Sequence, residues 1–181
     1  MYKVSLRNSV FALAFIFASC NQSQQSSETV KADSVSTVSA APAVPVELKD
    51  PDSNKAYELY IKLKDVLVKS SSAEARAAAK ELSVVLHKLP NQSNAASLSD
   101  KIAESSDLKD QRVNFTTLSN DLIVLFKQAE VNSGTMFVQY CPMANDGEGA
   151  YWLASEEEIR NPYYGDEMLN CGEVKESIKK K

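Results

Sequence analysis

Apolar residues recur at spacings of three and four through most of residues 52–131, and this pattern constrains that part of the chain to amphipathic helices. The first predicted helix opens at Asp52 or Ser53, and the others span about 73–88, 95–107 and 109–131. Three serines at 70–72, Pro90 and the sequence Asn132-Ser133-Gly134 break or end these helices. Four amphipathic helices with short connections favour an up-down bundle.

The pattern changes after Gly134. Residues 135–140 are rich in β-branched and aromatic side chains, which predicts an extended segment, and 150–153 form a second apolar run of the same kind. Turns are expected at 145–149 and 161–165, with a polar turn of helix at 155–160. The predicted fold class is therefore mainly α: an up-down bundle of about four helices with a small irregular C-terminal cap containing short extended segments, rather than a sheet domain.

The first twenty residues have the features of a targeting segment. Lys3 and Arg7 precede a short apolar run at 10–17, which suits a signal peptide and is too short to span a membrane. The run ends in Ala18-Ser19-Cys20, which resembles a bacterial lipobox, although Phe17 is bulkier than the aliphatic residue usual at that place. An ordinary secretory signal is the alternative. We expect a signal peptide at 1–19, acylation of Cys20, a disordered tether over 20–50 and one domain at 51–181, divided into the bundle (51–131) and a Cys/Met-rich cap (132–181).

The resemblance to lipoproteins also implies a location. No aspartate or acidic run follows Cys20, and under the sorting rules of that class this favours the periplasmic face of the outer membrane, with the membrane contacted through the lipid anchor. If Cys20 is acylated, the two remaining cysteines form an even pair in a compartment that permits disulfides.

Those two cysteines each have a methionine close by. Cys141 and Met143 form a Cys-x-Met pair, and Met168 and Cys171 form a Met-x-x-Cys pair. Thiolate and thioether sulfur select soft ions such as Cu(I), so the two pairs predict a four-sulfur site for Cu(I) or a similar soft ion if the turns bring them together. A Cys141–Cys171 disulfide and a pair of inert buried thiols are the alternatives.

Several functions find no support in the composition. The net charge of −4 and the lack of a basic stripe argue against nucleic-acid binding. His87 is the only histidine and suits a helix C-terminus, and there is no nucleophile elbow or glycine-rich phosphate loop, so we predict no enzymatic activity. The aromatic residues after Gly134 are expected to form the core of the cap, with a cation–π wall over a bound ion as the sharper alternative. The acidic residues of the cap are expected to form a solvated face.

Four runs in the C-terminal part resemble a known family. They are Tyr140-Cys-Pro-Met-Ala-Asn-Asp-Gly, Gly149-Ala-Tyr-Trp-Leu, Ile159-Arg-Asn-Pro-Tyr-Tyr-Gly and Met168-Leu-Asn-Cys-Gly-Glu-Val. They are similar to an uncharacterised domain-of-unknown-function family of Gram-negative envelope proteins, found as small lipoproteins and as the C-terminal module of periplasmic adaptors of copper/silver-type efflux pumps. The likeness covers about 50–178 and is strongest over 140–174. It implies metal handling near an efflux system, with the adaptors as possible partners. A protein-interaction module whose cap is pinned by a Cys141–Cys171 disulfide is the competing hypothesis.

Overall fold

The structure is a computed structural model that describes residues 44–181. The predicted signal peptide, Cys20 and most of the predicted tether lie outside the described residues. Four helices precede a strand-containing C-terminal region, which confirms the prediction of a mainly helical protein with extended segments near its end. The helices are α1 (Pro51–Val68), α2 (Ser72–Leu86), α3 (Ser93–Glu104) and α4 (Leu108–Gln128). The strands are β1 (Glu47–Leu48), β2 (Val131–Ser133), β3 (Thr135–Cys141), β4 (Ala150–Ala154) and β5 (Glu173–Lys179).

Side-chain caps fix the starts of two helices. The Asp50 carboxylate accepts a hydrogen bond from the Ser53 amide at 2.8 Å, and the Asp107 carboxylate accepts one from the Lys109 amide at 2.7 Å. Such caps satisfy amide groups that have no partner inside the helix. The capping residues lie two or three positions before the predicted starts, because periodicity shows apolar positions and not the cap itself.

Consecutive helices pack against each other around an apolar core. Leu63, Leu82, Ile102 and Leu122 are fully buried, one on each helix. Gln111 is a fully buried polar residue at the edge of this core, and its side-chain amide donates to carbonyl oxygens beside α2 and α3, including that of Ser105 at 2.8 Å. These bonds tie the start of α4 to its neighbours, although the side-chain oxygen of Gln111 has no hydrogen-bond partner among the described residues.

The C-terminal region contains a three-stranded antiparallel sheet in the order β4-β3-β5. Strands β3 and β4 occupy the two extended segments predicted from the sequence, and β4 packs on α4. Strand β5 was not predicted, and this region is more regular than the expected irregular cap. Its sequence is mostly charged and exposed, with only Val174 and Ile178 as half-buried apolar residues, because β5 is an edge strand.

The helical turn predicted at 155–160 is wrong: residues 155–158 form bends, and 159–160 have no regular secondary structure. The side-chain amide of Gln139, buried on β3, donates towards the carbonyl oxygens of three consecutive residues, at 2.9 Å for Glu156, 3.2 Å for Glu157 and 3.3 Å for Glu158. Those carbonyl groups therefore point to one atom and not along a helix axis. The Glu156 carboxylate also pairs with Lys64, which is fully buried on α1. These contacts hold the segment against the helical part.

A short strand pair joins the start of the described chain to the end of α4. Glu47 and Leu48, at the end of the segment predicted as tether, pair with Ser133 and Val131 of β2. A Cβ atom on Gly134 would lie 2.7 Å from the Pro45 carbonyl oxygen, and its φ of +76° also requires glycine. No helix within residues 44–181 is long and apolar enough to cross a membrane.

Candidate functional site

The two cysteines of the C-terminal region lie side by side. Cys141 is the last residue of β3 and is fully buried, while Cys171 lies just before β5 and is half-buried. Both are free thiols, and a hydrogen bond between them is the main reason that the pKa of Cys171 rises from 9.0 to about 11, followed by burial. The chain thus brings together two sulfur atoms that are thirty residues apart in sequence. We call this pair the thiol site.

The turns that carry the two methionines meet at the thiol site. The amide of Cys171 donates to the carbonyl oxygen of Met168 at 3.0 Å, which folds the Met-x-x-Cys segment into a turn. The backbone amide of Met143 hydrogen-bonds the Cys171 sulfur and moderates the rise of its pKa. All four predicted ligand residues therefore belong to two adjoining turns at the end of β3.

The methionine side chains are less enclosed than the thiols. Met143 is 55% exposed, and Met168 is half-buried. Within residues 44–181, no three side chains of the His, Cys, Asp or Glu types come together so as to hold a metal ion. A metal at the thiol site would therefore rely on the two thiolates, with thioether sulfur as the available supplement.

Asn161 holds the Cys171 loop in place. It is fully buried, its side-chain amide donates to the Cys171 carbonyl oxygen at 2.8 Å, and its backbone amide donates to the Leu169 carbonyl oxygen at the same distance. Its side-chain oxygen accepts from the amides of Tyr163 and Tyr164 at 2.8 and 3.3 Å. One side chain thus joins the loop before β5 to the turn formed by residues 161–165.

Gly172 allows the close approach that places Cys171. A Cβ atom here would lie 2.9 Å from both the Trp152 ring and the Tyr140 carbonyl oxygen. Its φ of +146° also lies in the region that favours glycine. The backbone after Cys171 therefore lies directly against the tryptophan of β4.

Tyr164 lies close to the thiol site and also lines a surface cleft. Its hydroxyl group donates to the Met143 carbonyl oxygen at 2.5 Å. Burial raises the pKa of Tyr164, and the nearby Cys141 and Cys171 add to this rise. Tyr164 also lines a cleft of about 390 Å³ beside α4. The cleft and the thiol site are neighbours that share one side chain.

The remaining candidate residues have structural partners. His87 ends α2, and its Nε2 atom lies 3.1 Å from an Asp100 carboxylate oxygen on α3. Trp152 and Tyr163 are buried in edge-to-face contact, with ring centroids 5.9 Å apart. Tyr151, by contrast, is 40% exposed and packs on the Tyr140 ring. The aromatic residues therefore contribute both to the core and to the outer face of the sheet.

Sequence reasoning did not identify Asn161 or Gly172 as parts of the site, whereas Tyr164 was among the aromatic residues considered for a cation–π wall over a bound ion. Asn161 was placed in a turn because Asn-Pro is a turn signature, and that pattern does not show which loop the asparagine joins. Gly172 directly follows Cys171, and a glycine beside a candidate ligand is the signal that could have indicated a close backbone approach.

Comparison with known proteins finds a match to a family model in the helical part of the chain. A family model described as protein of unknown function, DUF3347, matches residues 56–134. This segment runs from α1 to Gly134, so the thiol site lies outside it. No curated protein and no solved structure matches the chain. The helices therefore resemble those of a described family whose function is not stated.

Proposed function

We propose that this protein binds a soft metal ion, Cu(I) or Ag(I), at the thiol site, and that it acts as an envelope-anchored buffer or as a donor to a heavy-metal efflux system. The observation that carries the proposal is the hydrogen-bonded pair of free thiols, Cys141 and Cys171. Thiolate sulfur selects Cu(I) over hard cations such as Ca²⁺. Met143 and Met168 supply thioether sulfur from the same two turns, and thioethers cannot be lost to disulfide formation.

Binding at this site requires the release of protons. The pKa of Cys171 is raised to about 11, so its thiol is protonated at neutral pH when no metal is bound. A metal ion must displace that proton to bind the thiolate. The affinity for Cu(I) should therefore increase with pH, which suits a site that holds the ion and also releases it to a partner.

The proposed location depends on the N-terminal segment. The lipobox-like Ala18-Ser19-Cys20 supports acylation of Cys20 and attachment to the periplasmic face of the outer membrane. The likeness of the C-terminal runs to modules of heavy-metal efflux adaptors supports those adaptors as partners. On this proposal the domain stays close to the membrane in which an efflux complex would work.

A second candidate function follows from the same pair of thiols. Adjacent cysteines in an oxidising compartment form disulfides, and full burial of Cys141 favours a structural role for its sulfur. A Cys141–Cys171 disulfide would pin the end of β3 to the loop before β5. The C-terminal region would then serve as a protein-interaction module that does not bind metal.

A count of free thiols separates the two candidates. The metal-free protein is purified from its own envelope without reductant, then unfolded in denaturant and treated with a chromogenic thiol reagent. Two free thiols per chain besides any acylated cysteine support the metal site, and their absence supports the disulfide-pinned module.

The methionines provide a second test. Replacing Met143 and Met168 together by leucine preserves volume and hydrophobicity, so the stability should change by less than about 1.5 kcal/mol. The affinity for Cu(I) should nevertheless decrease, since two soft ligands are lost. If the double variant binds Cu(I) as tightly as the wild type, the four-sulfur site is wrong.

A further inference from the structure

The cleft beside Tyr164 has the size of a small-molecule site. It lies between α4 and the short turns at Asn145–Gly147 and Gly165–Glu167, with a volume of about 390 Å³. Ligand sites in proteins commonly have volumes of roughly 300–1,000 Å³. Tyr163 contributes a mostly buried ring to its lining, and Val113 contributes an apolar side chain that is 49% exposed. The cleft therefore offers apolar surface to a ligand.

The two walls of the cleft carry opposite charges. Lys109 and Arg112 line it from α4, while Asp146 and Glu167 line it from the two turns. Lys109 and Asp146 approach each other only to 3.9 Å, with both side chains largely exposed. An exposed pair at this distance contributes little to stability. A ligand that carries both charges can therefore replace it at small cost.

Arg112 is the most distinctive group of the cleft. Its guanidinium donates to three neutral oxygen atoms: the Pro162 carbonyl and the Ser70 hydroxyl, both at 2.9 Å, and the Leu67 carbonyl at 3.3 Å. Within the part of the chain that the structure describes, no carboxylate lies within 4.0 Å of it.

Partial burial lowers the pKa of Arg112, and the nearby Glu167 carboxylate acts in the opposite direction. The carbonyl oxygens at the end of α1 balance part of the Arg112 charge. A carboxylate in the cleft would add a charge-assisted hydrogen bond, which is stronger than the bonds to neutral oxygens.

We infer that the cleft binds a small zwitterion with an apolar side chain, such as a free amino acid. Its carboxylate would bind Arg112 and Lys109 on α4. Its ammonium group would face Asp146 and Glu167 on the turns, and its side chain would pack on Val113 and the Tyr163 ring. This site needs no metal, so it stands independently of the neighbouring thiol site.

The fluorescence of Trp152 gives a direct assay. Trp152 is the only tryptophan in the chain, and it is in edge-to-face contact with Tyr163, which lines the cleft. L-leucine, leucinamide and 4-methylpentanoate are titrated into the full chain in detergent, and isothermal calorimetry is measured in parallel. These probes differ only in the carboxylate or the amine. L-leucine should bind saturably, and loss of either charged group should weaken binding by about tenfold or more.

A matched pair of variants tests the acidic wall. Glu167→Gln removes an exposed charge from the cleft, and Glu74→Gln removes an exposed charge from α2 as the control, with the same change in net charge. Because both residues are exposed, neither change should affect folding. Glu167→Gln should weaken L-leucine binding by about tenfold and abolish the preference for L-leucine over 4-methylpentanoate, while Glu74→Gln should leave both unchanged. The proposal is overturned if L-leucine shows no saturable binding by either method, if the three probes bind alike, or if the two variants behave alike.

Discussion

Tyr60 and Tyr57 are two buried tyrosines on α1. We expect removal of their hydroxyl groups to have very different effects on the free energy of unfolding. The Tyr60 hydroxyl lies 2.8 Å from Ser119 Oγ of α4 and accepts the Leu153 backbone amide of β4 at 3.1 Å. The Tyr57 hydroxyl has no hydrogen-bond partner among the described residues. One hydroxyl group therefore joins two helices to the sheet, while the other lies buried without a protein partner.

The expected cost of Tyr60→Phe follows from the groups it leaves behind. A buried donor without an acceptor costs about 1–3 kcal/mol, and the Leu153 amide becomes such a donor, whereas the Ser119 hydroxyl can rotate to a carbonyl of its own helix. We expect a loss of about 2 kcal/mol in the free energy of unfolding. Tyr57→Phe removes a buried polar atom that has no protein partner, so its effect should stay within about 0.5 kcal/mol.

Urea denaturation followed by circular dichroism measures both changes. With an m-value of about 2 kcal/mol/M, the Tyr60→Phe midpoint should fall by about 1 M while m stays constant. The Tyr57→Phe midpoint should remain near that of the wild type. Equal midpoints for the two variants would refute the role of the Tyr60 hydroxyl in joining the helices to β4.

Three further predictions concern the core, the thiol site and the anchor. Leu122→Ala or Phe126→Ala, both at fully buried positions, should each cost about 2–5 kcal/mol in urea denaturation, whereas Val124→Ala at an exposed position should cost less than about 0.5 kcal/mol. Alkylation of Cys171 by iodoacetamide, mapped by mass spectrometry, should accelerate about tenfold per pH unit up to its pKa of about 11, and a plateau near pH 9 would contradict the raised pKa. The same raised pKa contributes stability that is present below about pH 9 and is lost as the pH rises through about 11. Mass spectrometry should find an acylated N-terminal Cys20, and Cys20→Ala should release the protein from membranes or leave the precursor uncut; an unmodified N-terminus elsewhere would exclude the anchor.

The helices were predictable because each has one buried face. Leu118, Leu122 and Phe126 of α4 follow the helical period and are all fully buried, so local spacing and burial agree. The helix ends were less accurate, because they depend on particular caps such as Asp50. Strand β3 was also predictable from local sequence, because β-branched and aromatic residues favour an extended conformation.

The contacts between distant segments were not predictable. Strand β5 has a mostly charged sequence, and only its pairing with β3 makes it a strand. Residues 155–160 have a composition that suits a helix, but the Gln139 side chain on β3 binds the carbonyl oxygens of residues 156–158. In the site, the sequence suggested which sulfur residues to consider, while the position of Asn161 beside Cys171 depends on tertiary structure.

A competitive Cu(I) titration tests the central proposal most directly. The reduced full chain in detergent and its Cys171→Ser variant are titrated against a chromophoric Cu(I) ligand at two pH values. The proposal predicts that the wild type withdraws one equivalent of Cu(I) from the competitor, that its affinity increases with pH because the Cys171 proton is displaced, and that Cys171→Ser weakens binding strongly. If the reduced wild type withdraws no Cu(I), or if Cys171→Ser binds it equally well, the thiol site does not bind the metal.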